Sequence, residues 1–302
     1  MKTQSRRMLS NLLVILSSVS RVGSTAPLIF ILGTEGISSI LHRIQYCYGH
    51  TNRTVIITKF QSFHYPKLDE VSMCDYLKLP GRIRCDEHSL EYWKNYSSTV
   101  HCNSNPTKIR EVFTKIDSDT NVSFCVKGIE VPFGGEPDWN YTQRIWNSYQ
   151  MLSTEIPSGD QLAAFHWRRG DQLKTRCENG KDSSINCAPL EHFLDKIDAT
   201  IENIKIEHHI QGPLNVFIAT NEQDPNILAE FARRGFHHSG QIEGILHSKN
   251  LTTNSLELFL LDTMLMCSAK WLHVFGLSVV HDFVEHCRKK LMAEMWAEPS
   301  RS

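Results

Sequence analysis

Two consecutive arginines stand directly behind an apolar run in the stretch "LAAFHWRRGDQL", residues 162–173. A planar guanidinium grips a phosphate through two parallel hydrogen bonds, which a lysine cannot copy. With Leu162–Phe165 as a strand interior, His166, Trp167, Arg168 and Arg169 fall at its carboxyl end, the edge where open α/β sheets bind their ligands. Gly170 lets the chain turn closely past such a ligand. Two other readings stay open here: Arg169-Gly170-Asp171 as an exposed adhesion signal, and the whole cluster as a structural salt-bridge network.

Three more groups could carry chemistry. Ser278 follows the apolar stretch "KWLHVFG" and opens a helical pattern, so free backbone N–H groups and the helix dipole there would attract an anion; an ordinary helix cap is the alternative. "GTEGISS", Gly33–Ser39, lies between a strand and a helix and places Glu35 as a general base for a hydroxyl. A glutamate near a helix start also serves as a dipole-complementing surface residue. Asp117-Ser118-Asp119 is an acid pair that could hold a divalent cation with a nucleotide diphosphate, but it does not end an apolar strand and reads as a polar loop.

The elements that position these groups alternate. "PLIFILG" (27–33) and "RTVIITKF" (53–60) are strands around the helical spacing of 36–49. Residues 61–145 are irregular and read as loops and short elements. Beyond them, strands at 161–168, 215–220 and 270–276 alternate with helices at 189–204, 224–236, 253–269 and 278–295, and Asp224-Pro225 marks a helix start. This pattern predicts an α/β fold with parallel, doubly wound sheets: two Rossmann-like domains facing a cleft. A boundary near 145–158 divides residues 25–150 from residues 151–302.

The chain has 302 residues, 41% of them hydrophobic, and a formal net charge of −1. It is long enough for a real core and too nearly neutral for a nucleic-acid or membrane-surface protein. Residues 1–24 read as a cleaved secretory signal, with Lys2, Arg6 and Arg7 before a short apolar run. That run falls short of the ~20 apolar residues a membrane span needs. Sequons at Asn52, Asn95, Asn121, Asn140 and Asn250 and nine cysteines agree with the secretory lumen, the endoplasmic reticulum first and the Golgi second. Cys177 and Cys187 flank a polar loop and form the best local pair. Cys74, Cys85, Cys102 and Cys125 could supply two more bridges, and Cys267, in an apolar helical run, reads as the odd free thiol.

Taken together and in order, these blocks resemble the GDP-fucose protein O-fucosyltransferases, most closely the branch that modifies thrombospondin-type repeats, with a shortened N-terminal half. The resemblance rests on His166-Trp167-Arg168, on Thr34-Glu35-Gly36-Ile37-Ser38 after the first strand, and on "VFIATN" (216–221). It rests also on Asp262 seven residues before Ala269, with "WLHVF", Ser278-Val279-Val280 and Arg288 following. It implies a GT-B type fold, a GDP-fucose donor, and inverting transfer to a Ser/Thr hydroxyl of a folded thrombospondin-type or EGF-like repeat, with no metal or other cofactor. It further implies Glu35 as the base, Arg168 on the departing phosphate, and Thr34, Gly36, Ile37, Ser38, His166, Trp167, Asp262, Ser278, Val279 and Val280 around the donor. The chain departs from the family pattern at Ser38 (Asn), Asn221 (Asp) and Val279-Val280 (Thr-Phe). A catalytically silent relative that binds a glycan or protein partner, and a metal-dependent transferase using Asp117 and Asp119, are the alternatives.

Overall fold

In a computed structural model of the chain, the residues described are 28–30, 44, 53–57, 60–61, 70–79, 81–85, 98–101, 111, 114, 118, 124–127, 139–157, 159–169, 177, 185–275, 280–281, 284–285 and 287–289. Expectations for the leader, for Gly33–Ser39 and for Asp117 and Asp119 lie outside these residues. Two parallel sheets organise them. The first joins β1 (Leu28–Phe30), β2 (Val55–Ile57), β6 (Ile83–Cys85), β7 (Ser98–His101) and β8 (Phe124–Lys127) in the order β6-β2-β1-β8-β7. Every pairing in it is parallel. Short antiparallel ribbons accompany it, β3 (Phe60–Gln61) with β4 (Glu70–Val71), and β5 (Leu77–Lys78) with β9 (Asn140–Tyr141). The stretch read as irregular from the sequence therefore supplies three strands of the first sheet.

The second sheet runs β12-β11-β10-β13, again parallel throughout. Its strands are β10 (Gly159–Trp167), β11 (Asn215–Thr220), β12 (His237–His238) and β13 (Ala269–Phe275). The helices associated with it are α1 (Gln143–Ser153), α2 (Leu190–Glu207), α3 (Pro225–Arg233), α4 (Ser239–Ser248) and α5 (Ser255–Ser268). Side chains alternate across β10, as a pleated strand requires. Leu162 and Ala164 enter one hydrophobic cluster with α1, α4 and α5, while Ala163, Phe165 and Trp167 enter a second with α2. Burial on both faces is what a parallel sheet demands.

Local sequence explains most of these boundaries. Asp224 caps α3 by accepting from Asn226 N at 2.9 Å, with Pro225 in the first turn. Gly235 closes it at φ 76°, a left-handed conformation that suits glycine. The stretch 145–158, read as a junction, is helical as far as Ser153, and Ile145, Ser148 and Leu152 of α1 are buried.

Disulfides link Cys177 to Cys187, the expected local pair, and Cys74 to Cys85, one of the pairings left open among Cys74, Cys85, Cys102 and Cys125. Cys267 is not a free thiol: it is bonded to Cys287, so the end of α5 is tied to the helical segment around residues 284–289. The apolar setting that made Cys267 look solitary is the packed face on which Cys287, 1% exposed, also lies.

Helix α5 is buried along nearly its whole length, including Glu257 at 2% exposure. Arg144 Nη2 and Ser148 Oγ, both from α1, donate to its two carboxylate oxygens at 2.9 Å each. Arg144 also lies over the Tyr76 ring at 4.8 Å. Removing one partner of a buried carboxylate leaves it uncompensated. Arg144→Ala should therefore lower stability by about 1–3 kcal/mol, less than the roughly 3–5 kcal/mol of a fully buried pair because Arg144 is itself half exposed. Chemical denaturation checks this, and an unchanged midpoint would contradict the pairing.

Candidate functional site

β10 lies between β11 and β13, with Trp167 in register with Thr220 on one side and Phe275 on the other. Because all three run the same way, their carboxyl ends meet at one edge of the sheet. The chain delivers its two arginines there. His166, 7% exposed, is two residues beyond Ala164 and so shares the face that meets α5. Arg168 follows the last paired residue and is partly buried.

The neighbouring side chains hold that edge in place. Trp167 is wholly buried, stacked on Phe193 with ring centroids 3.9 Å apart, and its Nε1 donates to Ile185 O at 3.2 Å. Its indole has no exposed surface to offer a donor; it packs the strand end against α2. The Arg169 guanidinium lies 5.0 Å from the Trp167 ring centre and its Nε is 3.7 Å from Glu222 Oε2. Glu222 Oε1 in turn accepts from the backbone N–H groups of Gln223 and Asp224, at 2.8 and 3.0 Å. With its side chain only 15% exposed and engaged in this way, Arg169 braces the turn and is not presented as the cation of an adhesion loop.

Asp262 projects from α5 into the same region. Its Oδ1 accepts from Ser239 Oγ at 2.5 Å, and that hydroxyl accepts from Thr220 N, at the end of β11, at 2.8 Å. Ser239 directly follows β12, so Asp262 is tied to the carboxyl ends of β11 and β12. Burial pushes the Asp262 carboxyl up to about 7, and the bond from Ser239 pulls it the other way. His238, beside Ser239, is held down at about 4, first by burial and then by the adjacent His237.

The structure thus brings His166, Arg168 and Asp262 of the second half to one sheet edge, and adds Ser239, which the sequence reading missed. The only sequence signal for it was a serine preceding a glycine-containing segment that had not been read as a helix. Val280 is helical and packs, partly buried, against the larger core. Thr34, Glu35, Gly36, Ile37, Ser38, Ser278 and Val279 lie outside the described residues. Ser118 is helical and exposed, while its neighbours Asp117 and Asp119 are not described. Among the described residues no group of three His, Cys, Asp or Glu could hold a metal ion, and no helix is long and apolar enough to cross a membrane.

Two parallel sheets flanked by helices make a mixed α/β fold of GT-B type. The chain is similar in structure to POFUT1 in complex with GDP-fucose, with a TM-score of 0.56 and 11% identity over 88% of this chain and 95% of that one. It is also similar to POFUT1 in complex with GDP (TM-score 0.53, 12% identity, 88% and 96% covered). A third similar structure is NodZ alpha-1,6-fucosyltransferase soaked with GDP-fucose (0.52, 14%, 87% and 92%). No family profile matches the chain, and no curated protein matches it.

The buried carboxyl makes stability depend on pH with a definite sign. The folded protein keeps the Asp262 proton up to about pH 7, whereas the unfolded chain, with an ordinary value of 3.8, releases it earlier. The native state thus binds more protons across that window, and its stability falls as pH rises through it. Asp262→Asn, which cannot titrate, should lose this component. Denaturation of both proteins at about pH 5 and pH 8 checks it: wild type should lose ground against the variant at the higher pH, and a constant difference would contradict a raised Asp262.

Proposed function

We propose that the chain is a GDP-fucose-dependent glycosyltransferase that moves fucose, with inversion, to a Ser/Thr hydroxyl of a folded protein domain. The observation that carries this reading is the convergence of His166, Arg168 and Asp262 at the carboxyl edge of the second sheet, in a fold shared with crystal structures of POFUT1 in complex with GDP-fucose and of NodZ soaked with it. The sequence resemblance adds the acceptor side and the residues outside the described set.

In this mechanism the bond from the fucosyl anomeric carbon to the β-phosphate oxygen breaks as the acceptor oxygen attacks from the opposite face. GDP departs with the negative charge. The Arg168 guanidinium and the backbone N–H groups at Ser278, Val279 and Val280 neutralise that charge as it develops. Glu35 takes the acceptor proton. Asp262, Thr34, Gly36, Ile37, Ser38 and His166 hold the donor, and Trp167 supports the strand from beneath. No metal is required. The three disulfides among the described residues support a lumenal, oxidising location, and the endoplasmic reticulum is the compartment we assign.

A second reading has its own support. Asn221 stands directly after β11, where the resembling family carries an acid, and Ser38, Val279 and Val280 also depart from its pattern. A silent relative that binds a glycan or protein partner without turnover is consistent with those changes.

Release of GDP from GDP-fucose, assayed with thrombospondin-type and EGF-like repeats side by side, separates the readings. The enzyme gives acceptor-dependent release that survives EDTA. Release with neither repeat supports the silent relative, and loss in EDTA supports a metal-dependent site at Asp117 and Asp119.

Two variants divide the labour further. Arg168→Ala should reduce turnover by at least ~100-fold with the fold intact, the scale of removing one transition-state charge partner. Glu35→Ala should slow turnover while GDP affinity stays unchanged. Near-normal turnover in Arg168→Ala, or equal loss of GDP affinity in Glu35→Ala, would refute those roles.

A further inference from the structure

Ser239 joins two elements through a single hydroxyl. The backbone N–H of Thr220, at the end of β11, donates to its oxygen at 2.8 Å. Its own proton is shared between Asp262 Oδ1 at 2.5 Å and the more distant Ile218 O at 3.4 Å. The strand thus fixes the oxygen and directs the proton to α5. Asp262 is 7% exposed, and its second carboxylate oxygen has no hydrogen-bond partner among the described residues. A carboxylate with one oxygen pinned and the other open is a directional acceptor, suited to N–H groups such as those along one edge of a guanine ring.

We infer that Ser239 is a positioning residue for the donor nucleotide: it fixes the Asp262 carboxylate through Oδ1, so that Oδ2 is presented to N–H donors of the base. This rests on the GDP-sugar reading above. A serine that only packed would leave the ionisation of Asp262 alone; a hydroxyl that donates to the carboxylate favours its charged form. The titratable groups on elements packed against α5 are Asp160 and His166 on β10, His238 ahead of α4 with Glu243 and His247 on it, Arg144 and Tyr149 on α1, and Lys270 and His273 on β13, with Glu257 on α5 itself. None of them enters the balance at Asp262, which is burial set against the Ser239 bond. Ser239 is therefore the group through which that carboxylate can be tuned.

Calorimetric titration of GDP into the full chain between about pH 6 and pH 9 tests the inference. Wild type should bind more weakly as Asp262 takes up its proton. Ser239→Ala should need roughly one pH unit more to reach the same affinity, the order of shift expected on losing one hydrogen bond to the charged form. At pH 7 that is about a fivefold loss, approaching tenfold at lower pH and closing towards high pH. Ser239→Thr, which keeps the hydroxyl, should restore the wild-type profile. Ser239→Cys, a weaker donor of similar size, should fall between and carries the test if Ser239→Ala does not fold. An Ala profile that overlays wild type, or one weakened equally at every pH, overturns the positioning role while leaving the GDP reading intact. Absence of GDP binding by wild type at any pH overturns the GDP reading, and the inference with it.

Discussion

Parallel pairing of β10 between β11 and β13 is the constraint on which the site depends. Parallel strands must be covered on both faces, so β10 carries apolar side chains on both faces from Leu162 to Phe165, and its polar residues fall at its two ends: Asp160 and Gln161 at the start, His166 and then Arg168 at the carboxyl end. Since the flanking strands run the same way, that end coincides with theirs. The second sheet therefore sets the position of Arg168 with the accuracy of a backbone ladder. The opposite face is fixed just as firmly, because Trp167 is stacked on Phe193 and Arg169 is laid across the indole towards Glu222.

Helix α5 poses a second problem, because an almost fully buried helix carries two acids. They are treated differently. Glu257 is answered on both oxygens by Arg144 and Ser148, and the amide of that same residue is capped by Asn254 at 3.0 Å. Among the described residues Asp262 receives one neutral donor, Ser239, and its second oxygen has none. The first arrangement fastens α5 to α1. The second leaves a carboxyl poised near neutrality, a condition that recurs where a buried group meets a ligand.

Much of this was legible in the sequence where periodicity was long and unbroken. The apolar run Leu162–Phe165 gave β10, the helical spacing of Leu190, Phe193, Leu194, Ile197 and Ile201 gave α2, and Asp224-Pro225 gave the start of α3. The strand-end position of Arg168 followed from the first of these. Legibility failed for physical reasons elsewhere. Helix α4 contains Gly240 and Gly244, which weaken any helical signal; at Gly240 a Cβ would lie 3.1 Å from the His238 ring, a tight contact. Strands β6 and β7 are three and four residues long, too short for a period of two to stand out. Cys287 reaches Cys267 through the tertiary fold, at a sequence separation of 20, so no local rule paired them. Ser239 was invisible because its role is made by three elements meeting.

The account's central claim is that the carboxyl edge of the second sheet receives a nucleotide diphosphate. A crystal structure of the chain with GDP tests it most directly. The account predicts the diphosphate within hydrogen-bonding distance of Arg168 and the base within reach of Asp262 Oδ2. GDP bound elsewhere on the protein, with Arg168 and Asp262 untouched, would contradict it.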